Sequence, residues 1–264
     1  MTPVPLWAAL VAATVLALVH AVTPSLRFLE GTPRSVWLSI AGGVSVAYVF
    51  VHLLPELAAG EAHFRDAVGS ARTEAAGFSF AERHVYLVAL LGLATFYGLQ
   101  RLASASREAP AAGAPRPGDG RDSAATDRAT SPGVFWVHIA SFGFYNALVG
   151  YLLLHLERRT LGALAFFAVA MALHFVVTDF GLNEDHKARY RRAGRWVLAA
   201  AVLAGFALGA VTELSALAVA VLVAFLAGGV ILNVLKEEVP TERRSRFWAF
   251  ALGMAGYAAL LLTL

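Results

Sequence analysis

The chain has 264 residues, of which 58% are apolar and only 15% charged, whereas soluble domains carry about 25% charge; water is excluded as its main solvent and a bilayer is implied. The net charge of +3 takes its meaning from where the basic residues lie, and they mark membrane topology rather than a nucleic-acid surface. The chain has no cysteine, which excludes disulfides and thiolate metal sites.

Apolar runs long enough to cross about 30 Å of hydrocarbon predict spans at 5–22, 36–58, 83–101, 134–156, 161–180, 193–212, 215–235 and 246–264. Eight spans are expected, with seven if the sixth and seventh are not separated at Thr212-Glu213-Leu214-Ser215. The fold class is an all-α integral membrane protein forming one membrane domain: helices 1–3 within 1–102, a disordered linker at 103–133, and helices 4–8 within 134–264. Of the 21 Lys and Arg residues, 16 fall in the odd-numbered connections and 5 in the even ones. That asymmetry places the odd connections in the cytoplasm and both termini outside, as expected of a multi-pass protein of a plasma or inner membrane.

The first run, opened by Met1-Thr2-Pro3-Val4-Pro5, lacks the basic residues of a signal peptide and reads as a retained helix that ends at an interfacial His20. In the second span, His52 and Glu56 lie four apart on one helix face, and Pro55 frees a carbonyl near Val51. They read either as an outer metal or proton site or as a hydrogen-bonded helix end. The connection Ala59 to Glu82 carries Phe64, Phe78 and Phe80 among both charge signs; it reads as a surface amphipathic segment or a solvated loop. The stretch around 103–133, rich in Ala, Pro, Gly and Ser, cannot build a core.

The fourth span carries His138, Ser141, Tyr145 and Asn146 on one stripe, which lines a pore or bonds to neighbouring helices. His155 and Glu157 fall at its outer end and read as interfacial. The fifth span holds His174 and Thr178 on one face, with Asp179 about 140° round from the histidine. An ionisable group at that depth costs about 2.5–3.5 kcal/mol to insert, so it needs a partner or a wet cavity. Glu184, Asp185 and His186 precede a basic stretch from Lys187 to Arg192; they read as an exit vestibule or a lipid-facing surface loop. The seventh span runs into Lys236, Glu237 and Glu238 before Pro240.

An internal echo joins Ala41-Gly42-Gly43-Val44, ahead of His52-Leu53-Leu54-Pro55-Glu56, to Ala227-Gly228-Gly229-Val230, ahead of Lys236-Glu237-Glu238-Val239-Pro240. In the expected topology the two units cross in opposite senses, as in inverted-repeat transporters.

The segment Ala41 to Leu57 resembles the second-helix signature of the ZIP (Zrt/Irt-like) divalent metal transporters, which commonly ends in His-Leu-Leu-Pro-Glu and is matched here at all five positions. The long connection after the third helix and the acidic, proline-terminated seventh helix are similar as well. The resemblance implies a ZIP-like bundle with an inverted repeat. It implies alternating access, Zn²⁺, Mn²⁺ or Fe²⁺ as substrate, no organic cofactor, and a homodimer as an allowed assembly. The fourth and fifth helices depart from the family pattern. His-Asn with its following acid is reduced to Asn146, and His-Glu-x-Pro-His-Glu is reduced to His174-Phe175-Val176-Val177-Thr178-Asp179. What the resemblance leaves is one site, from His174, Asp179, Asn146 and Thr178, with His52, Glu56, His138, Tyr145, Glu237 and Glu238 as secondary metal or pathway groups. Nitrogen and oxygen donors of this kind suit those ions. A fold relative that moves protons or another solute, or senses, is the alternative. An intramembrane zinc hydrolase, which needs about three ligands and an open position, is a second; no Walker, dinucleotide-binding or nucleophile-elbow pattern is present.

Overall fold

The computed structural model describes residues 4–29, 35–69, 84–108, 131–156, 160–238 and 246–263. Every regular element among them is helical. In chain order these are α1 (Leu6–Val22), α2 (Val36–Tyr48), α3 (Leu54–Gly69), α4 (His84–Glu108), α5 (Pro132–Leu152), α6 (Leu161–Arg189), α7 (Arg195–Val211), α8 (Ala216–Glu238) and α9 (Phe247–Leu261). Helices dominate because lipid offers no partners to backbone N–H and C=O groups. Six helical stretches are long and apolar enough to cross a membrane: Leu6–Ser25, Val36–Glu61, Val85–Leu102, Pro132–Leu152, Leu161–Val211 and Ala216–Lys236. A seventh apolar helix, α9, has 15 residues and spans about 22 Å at 1.5 Å per residue.

The boundaries follow local chemistry. Ser131 caps α5 by accepting from the Val134 amide, with Pro132 in the first turn, where a missing N–H costs nothing. Thr160 caps α6 in the same way through the Ala163 amide, at 3.1 Å. α7 stops at Val211 and α8 starts at Ala216, so the tight turn expected at 212–215 is present. Its conformation is held by the Leu214 amide donating to the Tyr151 hydroxyl at 2.9 Å.

Three expectations change. α2 and α3 are continuous through a π-turn at Val49–Leu53 and run to Gly69, so the first part of the expected 59–82 connection is helix; 70–83, with Phe78 and Phe80, lies outside the described residues. The π-turn is the answer to Pro55: its ring crowds the carbonyl of Val51 and it has no N–H. The widened turn relaxes that clash, with the Leu54 amide bonding back to Val49. α4 likewise runs to Glu108 and α5 begins at Pro132, so the expected 103–133 linker opens with helix; 109–130 lies outside the described residues.

The third change is at Leu161–Val211, 51 helical residues that double back at Lys187. That residue has φ 46°, left-handed backbone. The Tyr190 hydroxyl returns to Asp179, 11 positions earlier, and a π-turn over Tyr190–Gly194 leads into α7. Contact register agrees. His138 meets His186 while Tyr145 neighbours His174, so α5 and α6 are antiparallel; Gly205 meets Ala147 and Gly209 meets Tyr151, so α5 and α7 are parallel.

Glycines set the closest helix crossings. A Cβ on Gly43 would collide with the Phe250 carbonyl and one on Gly253 with that of Ile40, joining α2 to α9. Gly92 and Gly228 do the same for α4 and α8, and Gly150 and Gly205 for α5 and α7. Small residues let backbones approach where no hydrophobic force separates helix from lipid. Both units of the internal echo therefore serve as packing points, Gly43 against α9 and Gly228 against α4. All five tryptophans, Trp7, Trp37, Trp136, Trp196 and Trp248, are more than half exposed. Each lies within the first five residues of a helix, as rings that settle at a bilayer interface would.

Candidate functional site

α6 passes through the middle of the bundle and carries polar groups on two faces. On the first, Asp179 is fully buried and accepts from His20 Nδ1 at 2.9 and 3.0 Å to its two oxygens. The Tyr190 hydroxyl donates to Asp179 Oδ1 at 2.5 Å. His20 Nε2 lies 2.7 Å from Asn146 Oδ1, while Asn146 Nδ2 donates to the Phe142 carbonyl at 2.7 Å. A carbonyl can only accept, so the amide is oriented with its oxygen toward the imidazole. Both nitrogens of His20 then face acceptors, and both donate. The near-equal distances to the carboxylate oxygens fit an imidazolium N–H aimed between them, a charge-assisted pair. Next to it, Arg195 Nη1 donates to the Ala21 carbonyl at 3.1 Å. The group ties α1, α5, α6 and the start of α7 together.

On the second face, Asn233 of α8 donates to Thr178 Oγ1 at 2.9 Å, and Thr178 Oγ1 lies 3.4 Å from His174 Nε2. All three side chains are buried. His174 Nδ1 meets no protein hydrogen-bond partner. In one tautomer it holds a proton with no protein group to receive it; in the other it holds a lone pair a cation could take. The Tyr145 ring stands 5.9 Å from the His174 ring, and its hydroxyl reaches Met171 Sδ at 3.8 Å.

This second face looks toward both ends of the bundle. At the end where the α5–α6 and α7–α8 turns lie, a pocket of about 340 Å³ is lined by Glu56, His155 and apolar side chains. Glu56 also borders a narrow void of about 10 Å³ beside Tyr48 and Met171, one helical turn from His174. At the opposite end a void of about 10 Å³ is lined by Thr178, Asn233, His138, Gln100, Asp185 and Lys236. Here His138 Nδ1 lies 2.9 Å from His186 Nε2, both rings buried.

The single site expected from His174, Asp179, Asn146 and Thr178 is thus divided. Asn146 and Asp179 meet through His20 on one face, and His174 and Thr178 meet Asn233 on the other; a 140° separation on a straight helix points two side chains into different crevices. His20, expected at an interface, is 0% exposed. His186, expected in a vestibule or surface loop, is also buried, while Asp185 borders the void beside His138 and Glu184 is exposed. Of the secondary groups, His52 Nε2 lies 3.5 Å from Glu56 Oε2, both partly exposed. Tyr145 faces Met171 and His138 faces His186. Ser141 returns its proton to the Val137 carbonyl of its own helix. α8 reaches Glu238, but the Glu237 and Glu238 side chains, like Glu157, lie outside the described residues. His20, Tyr190 and Asn233 were missed as site residues; each is a polar group in or beside an apolar run, a signal that marks depth without naming a partner.

Among the described residues, no group of three or more His, Asp or Glu is arranged to hold a metal ion. No family model matches the chain, and no curated protein matches it.

Proposed function

We propose that the protein is a ZIP-like membrane transporter moving divalent cations, Zn²⁺, Mn²⁺ or Fe²⁺, by alternating access. Splitting Leu161–Val211 at Lys187 and counting α9 gives eight spans, with both termini outside by the distribution of basic residues. This reading requires the two glycine-containing echo units to belong to an inverted repeat.

The observation that carries the reading is the buried string His174–Thr178–Asn233, set between a pocket on one side and a polar void on the other. A cation entering past Glu56 would meet the His174 imidazole and the oxygens of Thr178 and Asn233, a weak donor set. Weak binding suits a carrier, which must release what it captures. Uptake of radioactive Zn²⁺ and Mn²⁺ into proteoliposomes tests it: His174→Leu should abolish saturable uptake, and undiminished uptake would refute this route.

The matched His20–Asp179 pair favours a second reading, a relative of the same fold that moves protons or another solute, or senses. Metal-independent proton flux in the same vesicles, with no metal uptake by the unaltered protein, would select it.

A further inference from the structure

The pocket beside Glu56 has features that a metal passage does not require. Its volume of about 340 Å³ lies in the range of small-molecule sites, about 300–1,000 Å³, far larger than a divalent ion needs. Its walls are mainly apolar, with Leu57, Val85, Leu156 and Val223 facing the space. Among the described residues, two ionisable side chains line it: Glu56, whose Oε2 lies 3.5 Å from His52 Nε2, and His155.

Their chemistry selects a ligand. The His155 ring stacks on Tyr151 with centroids 4.2 Å apart, and its Nδ1 lies 3.1 Å from the Tyr151 carbonyl. A carbonyl only accepts, so Nδ1 carries the proton and Nε2 holds the lone pair in the neutral ring. The pocket thus offers a carboxylate and an imidazole acceptor on an otherwise apolar surface. Two acceptors fall short of a metal cage but match the N–H groups of an ammonium, and apolar walls reward burial of a carbon skeleton.

We propose that this pocket is a binding site for an organic cation, a primary ammonium on a compact apolar body, held by Glu56 and His155. The site lies at the Glu56 entrance of the route proposed above, and ligand binding there is read without reference to what the protein transports.

The test uses the full chain purified into lipid nanodiscs, titrated calorimetrically with 1-adamantylammonium and with uncharged 1-adamantanol. The ammonium should bind saturably at one site and the alcohol roughly tenfold more weakly, the difference one charge pair supplies. Glu56→Gln, nearly isosteric, should bring the ammonium down to the alcohol. Ala220→Phe, which fills the pocket from α8, should remove saturable binding of both. Heat that rises without saturation, or binding unchanged in Glu56→Gln and Ala220→Phe, would overturn the proposal. Because binding is read without transport, loss of metal uptake and loss of this site are separate results.

Discussion

The two polar faces of α6 solve the same problem in opposite ways. On the Asp179 face the side chains of His20, Asn146, Asp179 and Tyr190 are matched: two carboxylate oxygens, two imidazole nitrogens, an amide and a phenol close a network, and at its edge Arg195 Nε is buried without a protein partner. On the His174 face the contact from Thr178 to the imidazole is 3.4 Å long, and the other ring nitrogen, Nδ1, meets no protein partner. A satisfied network holds helices in place, while an unsatisfied group in oil costs about 1–3 kcal/mol and persists where something must bind. The faces should therefore respond differently to mutation, the first in stability and the second in function.

The largest effect is expected from breaking the ion pair on one side. Asp179→Leu strands the His20 charge and His20→Leu strands the carboxylate; each should destabilise the detergent-solubilised protein by about 3–5 kcal/mol in thermal or denaturant unfolding. The double variant removes both charges and should recover most of that loss. Additive losses would mean that the two groups do not act as a pair.

Tyr190→Phe probes the same network more gently. It deletes one hydrogen bond to a carboxylate, for an expected loss of about 1.5–3 kcal/mol. Since that bond also spans the reversal at Lys187, faster amide exchange should appear at Tyr190–Gly194 and not in α8. Uniform exchange changes would argue that the bond does not hold the turn.

How far these faces were legible in the sequence differs for the same reason. Helix positions followed from apolar run length, and the turn at 212–215 from one acid and two hydroxyls, because lipid forces the backbone to satisfy itself. Helix ends were less legible. At Gly69 and Glu108 the chain leaves the apolar run but stays helical, and hydropathy does not report propensity in water. The ionisable residues of α6 were visible as costly groups, yet the family resemblance gathered His174 and Asp179, about 140° apart on the helix, into one site. Their partners come from α1 and α8, 159 positions before Asp179 and 55 after Thr178. A spacing rule within one helix fixes direction around its axis and carries no information about which helix stands there.

On the other face, His174→Leu should cost less than about 1 kcal/mol, because the change removes a buried group already lacking a partner and leaves an apolar side chain in its space. Thr178 can turn its hydroxyl proton to its own helix, as Thr14 and Thr95 do. Uptake, not melting, is the sensitive measurement. A loss approaching that of Asp179→Leu would erase the distinction between the faces.

The smallest effect is expected at the mouth, where His52 and Glu56 stand 3.5 Å apart with side chains 34% and 24% exposed. Partly wet pairs four apart on a helix contribute about 0.3–0.5 kcal/mol, so His52→Gln should shift unfolding within that range. The π-turn around His52 is imposed by Pro55 rather than by the ion pair and should survive the change. Pro55→Ala is the contrasting substitution: it restores an N–H and removes the ring that forces the widened turn, so Val49–Leu53 is expected to relax to α-helix and rotate His52 relative to Glu56. Amide exchange across 49–56 distinguishes the two variants. Equal changes in both would mean that the pair, and not the proline, shapes this end of the helix.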